Sequence, residues 1–246
     1  MLRIESKNPN FEEGEIKSRR TSVLELGEGS EVVYIPRFLA FDESSKWLGY
    51  LDKEIPWTRP LIRVFGRSCN QPRDTCYVAS GGLPELRYSG YQPHAYSWDD
   101  FPPLKEILEA VHEALPGSSF NSLLLNRYKS GSDYVSWHAD DEKLYGPTPE
   151  IASVSFGCER EFLLRKKPIK TPKVSLLSAV QGGKSEEQPT SERPKKSKQD
   201  DHHSFMLKHG SMLVMRGNTQ RDWVHSVPKR ARADAVRINL TFRWVL

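Results

Sequence analysis

The sequence predicts an α+β, mainly β fold of the sandwich or jelly-roll type, with helices near its N-terminal end. Its C-terminal half contains seven short apolar or alternating segments separated by turn residues, a pattern typical of sandwiches and jelly rolls. Two amphipathic segments with helical spacing precede them. The length of 246 residues allows one large β-rich domain or two smaller ones, with a substantial core in either case.

The chain begins with a polar stretch. Residues 1–30 carry runs of charge without periodicity, so we expect a disordered N-terminal arm. A strand is predicted at residues 32–35, and it ends at Pro36. Asp42 is then expected to cap a helix. The apolar face of this helix would be formed by Trp47, Leu48 and Leu51.

The next region combines loops with a second helix. Residues 56–98 contain many Pro, Gly, aromatic and Arg residues in short pieces, which predicts hairpins and long loops. The helix that follows is expected to be capped by Asp99 or Asp100 and ended by Pro116 and Gly117, with two prolines suited to its first turn. Its apolar face would be formed by Leu104, Ile107, Leu108, Val111 and Leu115.

The C-terminal half is predicted to be built of strands. They are expected at residues 121–128, 134–138, 151–157, 160–166, 205–208, 211–216 and 236–245. Residues 167–204 are too rich in Pro, Ser, Gly, Lys and Glu to pack, so we expect a disordered basic insertion within the domain. Because strands resume after it, residues 31–246 are predicted to form one domain. The Lys-rich residues 195–198 indicate a nuclear address, a nucleic-acid contact or a solvated run of charge.

The net charge of +4 is unevenly distributed along the chain. Residues 165–198 contain ten Lys or Arg and three Asp or Glu, which contribute +7, so the remainder carries −3. A polyanionic partner would therefore be bound by local basic clusters on a body that is not globally basic.

Cysteine usage and hydropathy indicate the compartment. Cys69, Cys76 and Cys158 are odd in number and lack C-x-x-C spacing, so neither a disulfide framework nor a structural zinc site is predicted. Reduced thiols are typical of a cytosolic or nuclear protein. The sequence also lacks an apolar run long enough for a membrane span and the apolar centre of a signal peptide, so we expect an intracellular protein without membrane association.

Residues 126–141, NRYKSGSDYVSWHADD, contain a candidate metal site. His138 and Asp140 are two residues apart, so in an extended segment their side chains point the same way and can share one metal ion. Taken alone, H-x-D is more often a surface turn. His225, in DWVHSVP, is the best candidate for a third ligand. Two histidines and one carboxylate that leave positions open are typical of non-haem Fe(II) oxygenases.

The last predicted strand has two chemically different faces. One face is apolar and would pack beneath the helices; it is formed by Val236, Ile238, Leu240, Phe242, Trp244 and Leu246. The other face is polar and is formed by Arg237, Asn239, Thr241 and Arg243. The simpler interpretation is an amphipathic edge strand with this face in water. If the face lines the interior, its arginines need anionic partners, and a small dicarboxylate would supply them.

A similar pattern occurs in residues 123–128. Leu124, Asn126 and Tyr128 share one face of the predicted strand, and two of the three carry hydrogen-bonding groups. These residues are either structural or part of the wall of a polar pocket beside the metal.

Together these residues resemble the AlkB-type Fe(II)/2-oxoglutarate-dependent DNA dealkylases. The segments FNSLLLNRY, WHADDE, IASVSFG, LKHGSMLVMRG and RINLTFR are similar to blocks of that family, over roughly residues 32–246 apart from the insertion. The likeness is greatest to the plant form of the nuclear branch that repairs double-stranded DNA. It implies a double-stranded β-helix at residues 121–246, helices packed outside it, and a nucleotide-recognition lid of hairpins within residues 31–120.

The resemblance assigns roles to individual residues. It implies that iron is held by His138, Asp140 and His225. It implies that 2-oxoglutarate is held by Asn126, Tyr128, Arg237, Thr241 and Arg243. Asp141 would read the exocyclic amine of the damaged base, and Tyr88 would stack on that base opposite His138. Where relatives have a second aromatic residue near Tyr88, this chain has Leu86.

Two further segments match DNA-contacting parts of the family. Phe65, Gly66 and Arg67 resemble a loop that inserts into duplex DNA, where an apolar side chain fills the gap left by an extruded base. Alone, the segment would be interpreted as a hairpin tip. A loop that holds the DNA backbone is matched by Lys229, Arg230 and Arg232, which would otherwise be interpreted as a solvated turn.

The implied activity is the oxidative removal of N-alkyl groups from flipped bases in double- and single-stranded DNA. The substrates would be 1-methyladenine, 3-methylcytosine and etheno adducts, with Fe(II) as cofactor, 2-oxoglutarate and O2 as co-substrates, and formaldehyde, succinate and CO2 as products. A nuclear monomer is expected. The alternatives are an oxygenase that acts on RNA or protein, and an inactive nucleic-acid-binding scaffold. The first should lack Asp141, Tyr88 and Phe65 together, and the second should lack a ligand or an arginine; the sequence contains all of them.

Overall fold

The structure is a computed structural model that describes residues 21–168 and 201–246. The described residues form strands β1 (Ser22–Gly27), β2 (Ser30–Ile35), β3 (Leu61–Val64), β4 (Arg67–Asn70), β5 (Asp74–Ala79), β6 (Ala95–Tyr96), β7 (Ser122–Tyr128), β8 (Val135–His138), β9 (Ile151–Gly157), β10 (Arg160–Lys166), β11 (His202–Leu207), β12 (Ser211–Gly217), β13 (Trp223–Val227) and β14 (Arg237–Arg243). The helices are α1 (Phe41–Glu54), α2 (Pro103–Ala114) and α3 (Thr219–Asp222). Two 3-10 turns lie at Trp98–Asp100 and Lys143–Tyr145.

Two antiparallel-rich sheets pack against each other. The larger sheet has the strand order β1-β2-β12-β9-β14-β7-β5-β6, and the smaller has the order β11-β10-β13-β8. Between them lies a core to which both sheets contribute, including Leu213 and Met215 from the larger sheet and Phe162 and Trp223 from the smaller. The separate hairpin β3–β4 stands outside both sheets. The predicted mainly β jelly roll is therefore confirmed.

The helices cover the outer face of the larger sheet. Side chains from α1 and α2 join those of the central strands in the largest core cluster, as with Leu51, Ile107 and Leu240. The predicted alternation of β14 holds within the strand, because Ile238, Leu240 and Phe242 are buried in this cluster. It fails beyond the strand. Trp244 and Leu246 are 47% and 68% exposed, because the ladder ends at Arg243.

The N-terminal prediction needs correction at residues 22–30. These residues form strand β1 and the start of β2, which pair as an antiparallel hairpin at one edge of the larger sheet. Leu26 is buried against the inter-sheet core, and Gly27 and Gly29 supply the positive φ angles of 81° and 74° that the turn requires. Burial of alternate leucines outweighs the polar composition. Residues 1–20 of the predicted arm lie outside the described residues.

Both predicted helix starts are also shifted. Helix α1 begins at Phe41 after Ala40, which makes no side-chain cap, so Asp42 lies in the first turn. Asp99 and Asp100 belong to a separate 3-10 turn, where the Ser97 hydroxyl accepts from the backbone N–H of Asp99. Helix α2 begins only at Pro103, since prolines fit the first turn, where no N–H is needed.

Three further strands differ from the prediction in their presence or their bounds. Strand β13 was missed because WVHSV is short and mixes polar with apolar residues. Strand β5 lies within the region predicted as hairpins and loops, yet all six of its residues are buried beside β7. The predicted insertion ends too late, because β11 begins at His202 and pairs with β10. Its residues 169–200 lie outside the described residues. None of the described helices has the length and hydropathy to cross a membrane.

Candidate active site

Three potential metal ligands meet between β8 and β13. His138 ends β8, Asp140 follows it by two residues, and His225 lies in β13, opposite His138 in the strand register. One ligand atom from each lies within 4.8 Å of the other two. Within residues 21–168 and 201–246, this is the only group of three or more such side chains that is close enough to share an ion. The predicted H-x-D pair and its downstream histidine are therefore brought together.

Neighbouring groups orient these ligands. The Nδ1 atom of His138 lies 2.8 Å from the carbonyl oxygen of Ser136, a contact that favours a proton on Nδ1 and leaves Nε2 for a metal. The Asp140 backbone N–H donates to the side chain of Gln220 at 2.9 Å. The ring of His225 stacks on Phe162, with centroids 5.2 Å apart and planes 20° apart.

The protonation states also suit a metal. Burial and the neighbouring His138 together lower the pKa of His225 to about 3, against an opposing effect of Asp140. Burial lowers the pKa of His138 as well, although Asp140 opposes this effect. Burial alone would raise the pKa of Asp140, but Arg243 and the two histidines hold it well below its usual range. Neutral imidazoles and an ionised carboxylate are the forms that bind Fe(II), so the donor set fits the ion.

A cavity of about 730 Å³ adjoins the three ligands. The polar face of β14 lines it together with one face of β7. The two faces are in register, since Arg237 is opposite Tyr128 and Asn239 is opposite Asn126. The five residues assigned to 2-oxoglutarate all line this cavity: Asn126, Tyr128, Arg237, Thr241 and Arg243. The polar face thus points inward, as one of the two interpretations requires.

The two arginines of β14 differ in their partners. Arg243 donates from Nη2 to Oδ2 of Asp140 at 2.8 Å, so its anionic partner comes from the protein itself. The expectation that both arginines need an external dicarboxylate is thus wrong for Arg243. Arg237 is 1% exposed, its Nη2 donates to Ser155 and Asn239, and its guanidinium lies 5.0 Å from the ring centre of Tyr128. Its Nε and Nη1 have no hydrogen-bond partner among the described residues. This buried cation without a counter-ion fits a carboxylate ligand.

Residues between β4 and β6 contribute an aromatic side chain to the cavity wall. Tyr88 lines the cavity and donates its hydroxyl hydrogen to Oε1 of Gln71 at 3.1 Å. Leu86 is buried beside it and also lines the cavity. Arg73 reaches the β7 wall, where its Nε donates to Oδ1 of Asn126 at 2.7 Å. A hydrogen bond therefore joins the segment between β4 and β5 to the β7 wall of the cavity.

The hairpin β3–β4 ends in an exposed tip. Phe65 is fully exposed, and it has a φ of 49°, followed by Gly66 at 77°. A positive φ is uncommon for an aromatic residue, and the tight turn imposes it here. Arg67 begins β4 and is exposed. The sequence-predicted hairpin tip is present, and Phe65 is among the residues that line the cavity although it is fully exposed to solvent.

Asp141 does not line the cavity. Its carboxylate is 63% exposed and forms an ion pair with Lys167 at 3.2 Å. The following residue, Glu142, lines the cavity instead, with Oε2 unpartnered in the described structure. Burial raises the pKa of Glu142, and Asp140 raises it further. The sequence did not predict Glu142, Gln71 and Arg73 as cavity residues. Asp141 and Glu142 are both acidic and both follow Asp140, so residue type alone does not show which of the two lines the cavity.

The basic loop after β13 is exposed but anchored. Lys229, Arg230 and Arg232 are all exposed, and the ammonium of Lys229 lies 5.0 Å from the ring centre of Tyr134. Beneath the loop, the buried Arg160 donates to the carbonyl oxygens of Pro228 and Asp133. These bonds fix the loop at its start while its cations face solvent.

Two histidines and one carboxylate that converge on one point, beside a buried arginine in a jelly roll, define the class of non-haem Fe(II) oxygenases. The profile of the 2OG-Fe(II) oxygenase superfamily matches residues 31–243, and the chain belongs to this superfamily. Its cofactor and co-substrates are therefore Fe(II), 2-oxoglutarate and O2.

Individual relatives agree with the AlkB-type resemblance, which is confirmed. The chain is 65% identical to the DNA oxidative demethylase ALKBH2 of Arabidopsis thaliana, over 93% of this chain and 70% of that protein. It is 35% identical to the human alpha-ketoglutarate-dependent dioxygenase alkB homolog 3, over 88% of this chain and 66% of that protein. The solved structure of OsALKBH1 shares the fold, with a TM-score of 0.51 and 17% identity over 87% of this chain and 97% of that chain.

Proposed function

We propose that the protein is a DNA repair dioxygenase that removes N-alkyl groups from flipped bases, with 1-methyladenine and 3-methylcytosine as substrates and etheno adducts as a further class. The observation that carries the proposal is the converging ligand set His138, Asp140 and His225 beside the buried guanidinium of Arg237, whose Nε and Nη1 have no partner among the described residues. The identity of 65% to a plant DNA oxidative demethylase supports DNA as the substrate.

The protein's own residues would hold the reactants. His138 Nε2, a carboxylate oxygen of Asp140 and His225 would bind iron. Arg237 would pair with a carboxylate of 2-oxoglutarate, in a charge-assisted bond that is stronger than a neutral one. The remaining contacts to 2-oxoglutarate would come from Asn126, Tyr128, Thr241 and Arg243.

Bound iron would couple the oxidative decarboxylation of 2-oxoglutarate by O2, which yields succinate and CO2, to hydroxylation of the N-alkyl carbon, and a hydroxylated methyl group would leave as formaldehyde. The protein's part is placement. Tyr88 would stack on the flipped base across the cavity from His138. Asp141 would accept a hydrogen bond from the exocyclic amine once its carboxylate leaves Lys167, 3.2 Å away.

DNA would be held outside the cavity. Phe65, Gly66 and Arg67 would enter the duplex at the gap left by the extruded base. Lys229, Arg230 and Arg232 would contact phosphates, which contributes affinity without sequence preference. Both double- and single-stranded DNA would be substrates for a nuclear, monomeric enzyme. The full exposure of Phe65 supports its insertion into the duplex, since an inserting side chain must not be packed against its own protein.

The test is formaldehyde release from one sequence that carries a single 1-methyladenine or 3-methylcytosine, presented as duplex DNA, single-stranded DNA and RNA. We expect release from both DNA forms that depends on Fe(II) and 2-oxoglutarate and is absent in His138→Ala. Release from RNA alone would favour the RNA oxygenase. DNA binding without any release, in a protein that binds Fe(II), would favour the inactive scaffold.

A further inference from the structure

Gln71 is a buried polar residue at the junction of the hairpin β3–β4 and strand β5. Its side chain is 1% exposed. Its backbone N–H donates to the carbonyl oxygen of Pro60 at 2.8 Å, and its side-chain oxygen accepts from Tyr88 at 3.1 Å. The backbone of Gln71 and its side-chain oxygen are therefore both held, and the orientation of the carboxamide is set by the Tyr88 hydroxyl.

The other end of this carboxamide has no partner. Nε2 of Gln71 is buried and bonds to none of the described residues. A buried donor without an acceptor is unfavourable, and such groups in native proteins usually meet a ligand or water. Gln71 lines the cavity that contains Tyr88 and His138. A hydrogen-bond acceptor on a molecule stacked against Tyr88 would satisfy it.

The two methylated bases of the proposed function differ in what they offer this donor. In 3-methylcytosine the methylated N3 lies between the exocyclic amine and the carbonyl O2. In 1-methyladenine the methylated N1 lies between the exocyclic amine and a C–H. If the methyl group points to the metal in both cases, the exocyclic amine lies on the same side of the methyl group in both lesions. On the opposite side, only 3-methylcytosine carries a hydrogen-bond acceptor, its O2.

The protein has matching groups on separate elements. Asp141 and Glu142 follow β8, and their carboxylates can accept from an amine but, when ionised, cannot pair with a carbonyl oxygen. Gln71 comes from the lid and presents an N–H donor. A cytosine lesion thus finds an acceptor for its amine and a donor for its O2, whereas an adenine lesion uses only the first.

We propose that Gln71 is a specificity-determining residue, which donates from its side-chain nitrogen to O2 of 3-methylcytosine and has no equivalent bond to 1-methyladenine. This inference rests on the proposed function. It predicts that the residue raises activity on the cytosine lesion selectively, because the bond is lost on one substrate only.

The experiment compares Gln71→Leu with the wild type on two single-stranded oligonucleotides, identical except for 3-methylcytosine or 1-methyladenine. Single strands remove the cost of flipping from the comparison. We expect kcat/KM for formaldehyde release to fall about tenfold on 3-methylcytosine, as for one lost hydrogen bond, and less than about twofold on 1-methyladenine. Gln92→Leu is the matched control, since Gln92 is exposed in the same region and does not line the cavity.

Gln71→Leu also removes the partner of Tyr88, so Tyr88→Phe is needed beside it. That variant breaks the same internal bond but keeps the carboxamide. If Tyr88→Phe reproduces the selective loss, or if Gln71→Leu affects both lesions equally, Gln71 only positions Tyr88 and the proposal is overturned. If Gln71→Leu affects neither lesion, Gln71 does not contact the base and the proposal is likewise overturned. Affinity of the same oligonucleotides without O2, measured by fluorescence anisotropy, should show the same selectivity. A wild type that releases no formaldehyde would refute the proposed function, while the anisotropy series would still decide the role of Gln71.

Discussion

His138 and His225 lie directly opposite each other on the antiparallel strands β8 and β13, with ring centroids 4.2 Å apart. Their distance is therefore set by the register of two paired strands, which is far stiffer than a loop. A shift of this register by one residue would turn the ring of His225 to the other face of the sheet. The metal set thus depends on the pairing of the smaller sheet as much as on the three residue types.

Replacing any of the three ligands should abolish turnover of 2-oxoglutarate. We expect His138→Ala, Asp140→Ala and His225→Ala to remain folded and inactive, because each removes one of the three side chains that can share the metal. Metal binding should stabilise the wild type by about 2.7 kcal/mol at a hundredfold excess of metal over Kd, and should therefore raise its melting temperature. Differential scanning fluorimetry with and without Fe(II) under argon should show no such rise in the variants.

The Asp140 variant should differ from the histidine variants in the absence of metal. Removal of its carboxylate leaves the buried guanidinium of Arg243 without its acidic partner, which is strongly destabilising. The apo form of Asp140→Ala should therefore melt below both apo histidine variants. Near-wild-type activity with normal iron content in any of the three would remove that residue from the site.

The sequence predicted the converging metal-ligand candidates and the polar face of β14, which line the cavity, but not all of the strands around it. The parity of β14 identified Arg237 and Arg243 as one face, because a period of two is visible in a strand that has a heavy apolar side. The partnership of Arg243 with Asp140 was not predictable, since the two are distant in sequence and meet only through the sheet order. Strand β13 was missed because its pattern is set by contacts with β8 and β10 rather than by its own residues.

Arg237→Met should raise KM for 2-oxoglutarate by roughly 30-fold or more, as expected for a lost charge-assisted bond worth about 2 kcal/mol. The physical reason is that Arg237 is the buried cation whose Nε and Nη1 lack partners in the described structure. Succinate formation at varied 2-oxoglutarate measures the effect. Arg221→Met is the matched control, because Arg221 is exposed and pairs only with the adjacent Asp222. An unchanged KM in Arg237→Met would place the co-substrate carboxylate elsewhere.

Asp74 should make stability depend on pH in the acid range. It is 3% exposed. Burial alone would raise its pKa, but hydrogen bonds from Arg59, Arg127 and Lys129 lower it overall. A depressed pKa in the folded state stabilises the protein above the unfolded-state value of about 3.9, and this contribution is lost as the pH falls through the folded-state pKa.

The test of this effect is Asp74→Asn. At pH 7 the variant should unfold at a lower urea concentration than the wild type. Its free energy of unfolding should be lower by on the order of 2–3 kcal/mol, because a buried ion-pair network is broken. The difference from the wild type should be constant above about pH 5 and shrink below about pH 4. A difference that persists unchanged at pH 3 would mean that the ionised carboxylate is not its source.

The region between β10 and β11 should be removable. The backbone N–H of Lys166 donates to the carbonyl oxygen of Asp201 at 3.0 Å, so the two ends of the insertion are already adjacent. We expect replacement of residues 170–199 by a short Gly-Ser linker to leave the melting temperature within a few degrees, since a shorter loop costs less entropy to close. Activity on a short oligonucleotide should persist, while affinity for long DNA and nuclear accumulation should fall. A variant that does not fold would show that the stretch is structural.

Phe65 should separate repair of duplex DNA from repair of single strands. A base within a duplex must be unpaired and extruded at a cost of a few kcal/mol before it reaches the iron, whereas an unpaired base avoids most of that cost. If Phe65 fills the vacated stack, its apolar contact offsets the cost on the duplex only. Phe65→Ala should then slow duplex repair by roughly 30-fold, for a loss of about 2 kcal/mol, with little change on single strands.

Two other variants make this comparison specific. Tyr88→Ala should impair both substrates, because a flipped or an unpaired base must stack in the same cavity. Leu61→Ala tests apolar exposure as such, since Leu61 is 66% exposed on the same hairpin but lies at the start of β3, away from the tip; it should leave the duplex-to-single-strand ratio unchanged. The measurement is formaldehyde release from one methylated sequence, paired and unpaired. Equal losses on the two forms in Phe65→Ala would mean that this residue is only a hairpin tip and that the duplex is opened by other contacts.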